Sequence, residues 1–103
     1  MKKIIVFVPI DHKEILKESM FKAGAGRIGN YDSCCFETVG VGQFRPLKGS
    51  DAFIGSVGLL ESVQEVKLEM VCQDEIISSV IGAMKQSHPY ETIAYEVYSI
   101  EQY

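Results

Sequence analysis

The stretch with most chemical potential in this sequence is His88-Pro89-Tyr90-Glu91. An imidazole with a carboxylate three residues on can chelate a divalent cation or share a proton as an acid–base pair, and Pro89 between them fixes the turn that presents both. The same residues have an architectural reading, in which His88 and Tyr90 close a helix and steer the chain into the next strand. His12, the other imidazole, falls in a helix first turn, where solvent is its expected partner. Of the thiols, Cys34 and Cys35 on a strand would point to opposite faces and so could not both enter one tetrahedral site, while Cys72 is free to join a soft-metal site. Gly24-Ala25-Gly26-Arg27-Ile28-Gly29 matches G-x-G-x-x-G by letter but follows a helix instead of opening one. The negative end of a helix dipole is a poor seat for a pyrophosphate, so these glycines read as capping and turning residues, with Arg27 available to an anionic group from a neighbour. No G-x-S-x-G, H-E-x-x-H, P-loop or paired C-x-x-C motif occurs, and nothing supplies a nucleophile with its base. The expectation is a protein that is not an enzyme.

The elements that must position these residues follow from periodicity. Residues 3–9 are a β-branched and aromatic run without polar alternation, which predicts a central strand covered on both faces or covered by a partner. Asp11 three residues before Glu14 resembles a capping box, and Leu16, Met20 and Ala23 fall on one face, so a helix is predicted over 11–23 with Gly24 as its left-handed cap. From about 33 to 44 the chain reads as a strand, with Cys35, Glu37, Val39 and Val41 in one register and Gly40 and Gly42 marking a bulge or a close approach. The connection over 46–58 carries Phe53 and Ile54 and should be ordered by packing. Val66, Leu68 and Met70 alternate with Glu65, Lys67 and Glu69, giving a strand with one dry face. Ile76, Val80, Ala83 and Met84 define a second helix that ends near Ser87, and residues 92–100 form the last strand. The order β-α-β-β-α-β is that of an α+β, ferredoxin-like split β-α-β sandwich, filling residues 1–103 as one domain.

Composition narrows the function classes. With 103 residues, 47% apolar and 23% charged, the chain has globular composition and room for one core. Ten basic against fourteen acidic residues leave a net charge of −4, which disfavours nucleic acid and anionic membrane as partners. The longest apolar runs are far shorter than a membrane span, and three cysteines without C-x-x-C spacing suit reduced thiols in the cytoplasm. Two helices on one face of a four-stranded sheet leave the other face open, and its apolar strand residues call for a cover, most simply further copies of the chain.

Val6-Phe7-Val8-Pro9, the block from Phe21 to Tyr31, Cys34-Cys35-Phe36, Gly40 to Pro46, Ile54-Gly55, Glu65 to Glu69, and His88-Pro89-Tyr90-Glu91 with Ala94-Tyr95 together resemble the insert domain of the NIF-three-like family. The resemblance covers nearly the whole chain, and departs from the family pattern at Ser50-Asp51-Ala52-Phe53, where a proline is usual. It implies a stand-alone insert domain: the dinuclear metal ligands of the longer members lie in flanking halves outside this sequence, and the hydrolase-like labels do not carry over. The domain is in turn similar to CutA and PII proteins, and H-P-Y-E looks like the CutA motif of the same letters. That similarity implies a homotrimer and a regulatory module without catalysis. Its intersubunit clefts would take a small ligand at Gly24, Gly26, Arg27, Gly29, Tyr31 and Tyr90, or a divalent metal ion at His88 and Glu91, with Glu69 and Cys72 as weaker candidates. No cofactor is otherwise implied. The rival expectation is a structural or protein-interaction domain with no ligand of its own.

Overall fold

The computed structural model describes residues 1–103. Strand β1 (Lys2–Pro9) leads through a 3-10 turn at Ile10–His12 into helix α1 (Lys13–Lys22). Strands β2 (Phe36–Phe44) and β3 (Glu61–Cys72) form a long hairpin, a second 3-10 turn at Asp74–Ile76 opens helix α2 (Ile77–Ser87), and β4 (Tyr95–Ser99) closes the chain. The sheet order is β2-β3-β1-β4 and every pair is antiparallel. This is the split β-α-β sandwich that the hydrophobic pattern implies.

Alternation along the central strands sets the layers. Ile4, Val6 and Val8 of β1 stand opposite Met70, Leu68 and Val66 of β3, all pointing to the helix side. Leu16 and Met20 of α1 and Val80 and Met84 of α2 complete that core. The helices are joined where Ser19 Oγ donates to the Ala83 carbonyl at 3.2 Å. Glu37, in the register expected of it, turns the same way and meets Lys13 at 2.8 Å and Lys17 at 2.9 Å, tying α1 to the outer strand.

Helix α1 ends as its sequence asks. Gly24 takes φ +110°, its N–H donates to Phe21 O, and the Ala25 N–H reaches back to Met20 O, the paired bonds of a Schellman cap. Its start differs from expectation: Asp11 lies in the 3-10 turn and no side chain caps the helix, because Pro9 delivers the chain into a tighter turn first. Strand β2 begins at Phe36, so Cys34 and Cys35 precede it and the opposite-face reasoning does not apply to them. There the chain turns at Ser33 (φ 55°), and the Cys34 N–H bonds to Gly26 O. Strand β4 likewise begins at Tyr95, three residues later than the pattern suggests. No bulge interrupts β2, whose pairing with β3 runs without a slip; Gly42 instead marks a close approach, since a Cβ there would lie 1.9 Å from Glu65 Oε1.

Two features of shape matter for function. β1 ends opposite Glu65, so residues 41–44 and 61–64 pair only with each other and project as an arm. The molecule measures 47 × 24 × 24 Å and exposes 6701 Å², against about 5,800 Å² for a compact monomer of its mass. The open sheet face mixes charge with apolar groups: Lys3, Lys67, Glu65, Glu69 and Glu96 share it with Ile5, Phe7, Val71, Phe36 and Tyr98, the last two exposed, and Lys3 pairs with Glu69 at 3.2 Å. Further exposed apolar surface gathers on β2, the arm and its connection, at Val39, Val41, Leu47, Val57, Leu59 and Leu60.

Candidate functional site

The H-P-Y-E turn sits where α2 gives way to the last strand. Pro89 biases His88 into extended backbone (φ −82°, ψ 137°), which ends the helix while the His88 N–H still bonds to Met84 O at 3.0 Å. The imidazole is then carried under the end of β1 and is only 7% exposed. Its Nε2 lies 2.7 Å from Phe7 O, and the Tyr90 N–H donates to Nδ1 at 3.1 Å. A carbonyl only accepts and an amide N–H only donates, so the ring is the neutral Nε2–H tautomer with both nitrogens engaged. Burial holds its pKa below the ordinary 6.5, the Phe7 carbonyl opposes that shift, and nearby His12 adds to it.

Tyr90 carries the turn outward. Its ring packs against His88 at 5.2 Å, Phe44 at 5.9 Å and Phe53 at 6.5 Å between centroids. The Tyr90 hydroxyl is buried without a hydrogen-bond partner of good geometry, and burial, with the Glu65 carboxylate beside it, pushes the phenol up to about 12. His12 is not solvated as expected: its ring stands edge-on to Phe53 at 5.3 Å and its Nδ1 is buried without a partner. Glu91 accepts the Asp51 N–H on Oε1 at 2.9 Å. The connection after β2 thus folds back onto the turn, and Phe53, His12 and Glu65 belong to this cluster although sequence spacing gave no hint of them. The glycine at 42 was the available signal, because it leaves room for Glu65 to lie across β2.

The Gly24–Tyr31 loop is elsewhere. The Gly26 N–H bonds to Val71 O at 2.8 Å, opposite Lys3. Along β1 that is about 14 Å from the Phe7 carbonyl that holds His88. The loop and the H-P-Y-E turn therefore share no cleft within one chain, and a cleft containing both needs two copies. Ile28 and Tyr31 exchange both backbone bonds around Gly29 and Asn30, leaving Tyr31 75% exposed at a projecting tip. Arg27 lines two shallow recesses, one of about 380 Å³ with Gly24, Cys72 and Glu75, the other of about 430 Å³ with Gly29, Tyr31 and Asp32. Glu69 is paired with Lys3, and Cys72 is buried with its thiol pushed up by that burial.

The donor set does not fit a divalent cation at the turn. Both nitrogens of His88 are bonded to backbone, Glu91 is turned to Asp51, and no group of three or more His, Cys, Asp or Glu side chains converges anywhere in the chain.

The class is set by the fold. CutA from Archaeoglobus fulgidus superposes with a TM-score of 0.69 over 99% of this chain and 86% of its own, at 17% identity. The PII-like protein CutA from Nostoc sp. PCC 7120 gives 0.69 over 98% and 82%, at 18% identity. The sandwich is a CutA/PII-like fold. A Bacillus cereus protein related to NIF3 superposes with a TM-score of 0.83 at 42% identity, covering 98% of this chain and 26% of that one. In sequence the chain is 47% identical over 102 residues to the GTP cyclohydrolase 1 type 2 homolog of Bacillus subtilis, 99% of this chain and 27% of that protein. The chain is similar to one stretch of these NIF3-related proteins, spanning about a quarter of the length of the curated relatives it matches. No protein-family model matches it.

Proposed function

We propose that this chain is a non-catalytic assembly module, whose β2–β3 arm packs against further copies of itself. The observation that carries the reading is the arm with its connection, which holds the largest gathering of exposed apolar side chains in an elongated chain whose surface exceeds that of a compact monomer by about 900 Å², close to what one partner buries in a standard interface. Val41 is 75% exposed and Leu60 64% exposed, a state a lone soluble domain rarely sustains over such a patch. Arg45, Lys48, Asp51 and Glu61 leave the same region near neutral, so copies meet there without net repulsion. Three copies is the number that the likeness to CutA and PII proteins implies, and a cytoplasmic setting with reduced thiols belongs to the same reading. No helix is long and apolar enough to cross a membrane. A small ligand between copies is the second reading, favoured by Arg27, which lines both recesses and has no carboxylate within ion-pair distance.

Native mass spectrometry and sedimentation of the chain test the reading across micromolar concentrations. Expected is a closed oligomer that Val41→Asp or Leu60→Asp dissociates without loss of helical signal. A chain that stays monomeric at the highest concentration removes it. Loss of bound anionic metabolites in Arg27→Ala, at unchanged assembly, would establish the ligand reading.

A further inference from the structure

We propose that the H-P-Y-E turn is the clamp that holds the connection between β2 and β3 in its docking position, which makes Tyr90 and Glu91 positioning residues for the association surface. The proposal rests on the assembly reading above.

Residues 45–60 form a connection longer than most, and such a segment needs something to hold it. Its own backbone bonds, Ser50 N–H to Leu47 O, Gly58 N–H to Pro46 O and Leu59 N–H to Ser56 O, all close within the connection. They shape it but do not fasten it to the sheet. What fastens it comes from the turn and the start of α1: Glu91 takes the Asp51 N–H, and Phe53 packs between Tyr90 and His12. The turn is itself anchored to the central strand through His88 and Phe7 O. Position is thus relayed from β1 through His88 to Tyr90 and Glu91, and from them to a connection that displays Leu47, Val57, Leu59 and Leu60. In this arrangement the imidazole and the carboxylate are not a ligand pair. They are successive fixing points of one clamp.

The expected consequence is that loosening the clamp frees the connection and weakens association while the sandwich stays folded. Hydrogen exchange by mass spectrometry reads the first and sedimentation the second. In Tyr90→Ala, amides over 45–58 exchange at least about tenfold faster, while those of β1 and β3 are unchanged. The association constant falls by at least about tenfold. Tyr90→Phe, which keeps the ring, retains both. Glu91→Ala, at an exposed side chain that cannot unfold the core, speeds exchange at Asp51 with a smaller loss of association. Unchanged exchange over 45–58 in Tyr90→Ala overturns the clamp. Faster exchange with undiminished association overturns the positioning role and leaves the assembly reading standing. A monomeric wild type, which needs no variant to detect, removes the assembly reading and the clamp's purpose with it.

Discussion

Replacing His88 with alanine tests the assignment of its ring as an architectural bridge. The imidazole is 7% exposed and makes one bond at 2.7 Å to Phe7 O and one at 3.1 Å from the Tyr90 N–H. Each bond contributes about 1 kcal/mol net, and removing the ring also leaves two poorly hydrated backbone groups and a small void, so His88→Ala should cost about 2–4 kcal/mol. For a domain of this size that is a large share of a total near 5–15 kcal/mol. The assay is urea unfolding followed by circular dichroism at fixed protomer concentration, since association shifts apparent stability. The pH profile supplies a second signature. Burial lowers the folded pKa of His88 below 6.5, so the unfolded chain takes up the proton first. Stability from this group is therefore complete above about 6.5 and is lost as pH falls from there toward the folded value. Wild type should weaken over that window more steeply than His88→Ala. Both bonds require the neutral ring, since a proton on Nδ1 would face the Tyr90 N–H donor. A cost below about 0.5 kcal/mol, with parallel pH profiles, would refute the reasoning.

Two further outcomes follow from the charges and the buried phenol. Glu37, held below the ordinary 4.5 by its bonds to Lys13 and then Lys17, stabilises the fold above about 4.5 and loses that contribution as pH falls through its lowered folded value; Glu37→Gln should cost about 1 kcal/mol at neutral pH and flatten the acid limb of urea unfolding. Ultraviolet titration of wild type should show a tyrosine ionising near 12, absent in Tyr90→Phe; in Gly42→Ala, where the new Cβ displaces the Glu65 carboxylate from 1.9 Å, that transition should move down, and an unmoved transition would show that Glu65 does not act on Tyr90.

The layers of this protein are written in its local pattern. Period-2 alternation at Val66, Leu68 and Met70 and helical spacing at Leu16 and Met20 fix which faces are dry, because burial of one face leaves no other register. The helix stop at His88 and the cap at Gly24 are equally local, set by the proline that follows one and the absent Cβ of the other. The resemblance carried by whole blocks of residues identified the relatives, and the NIF3-related likeness agrees with it. What the blocks could not convey was distance. The glycine loop and the H-P-Y-E turn are expected together in clefts between copies, and strand β1 keeps them apart within one chain, since one bonds opposite Lys3 and the other at Phe7. The roles of His12, Phe53 and Glu65 were illegible for the same reason: each meets Tyr90 or its neighbours across the fold, and no spacing in the chain encodes a contact made by a returning connection. Nor does the letter H reveal whether an imidazole has a lone pair to offer. Two backbone groups decided that for His88, and only the packed chain brings them to its ring.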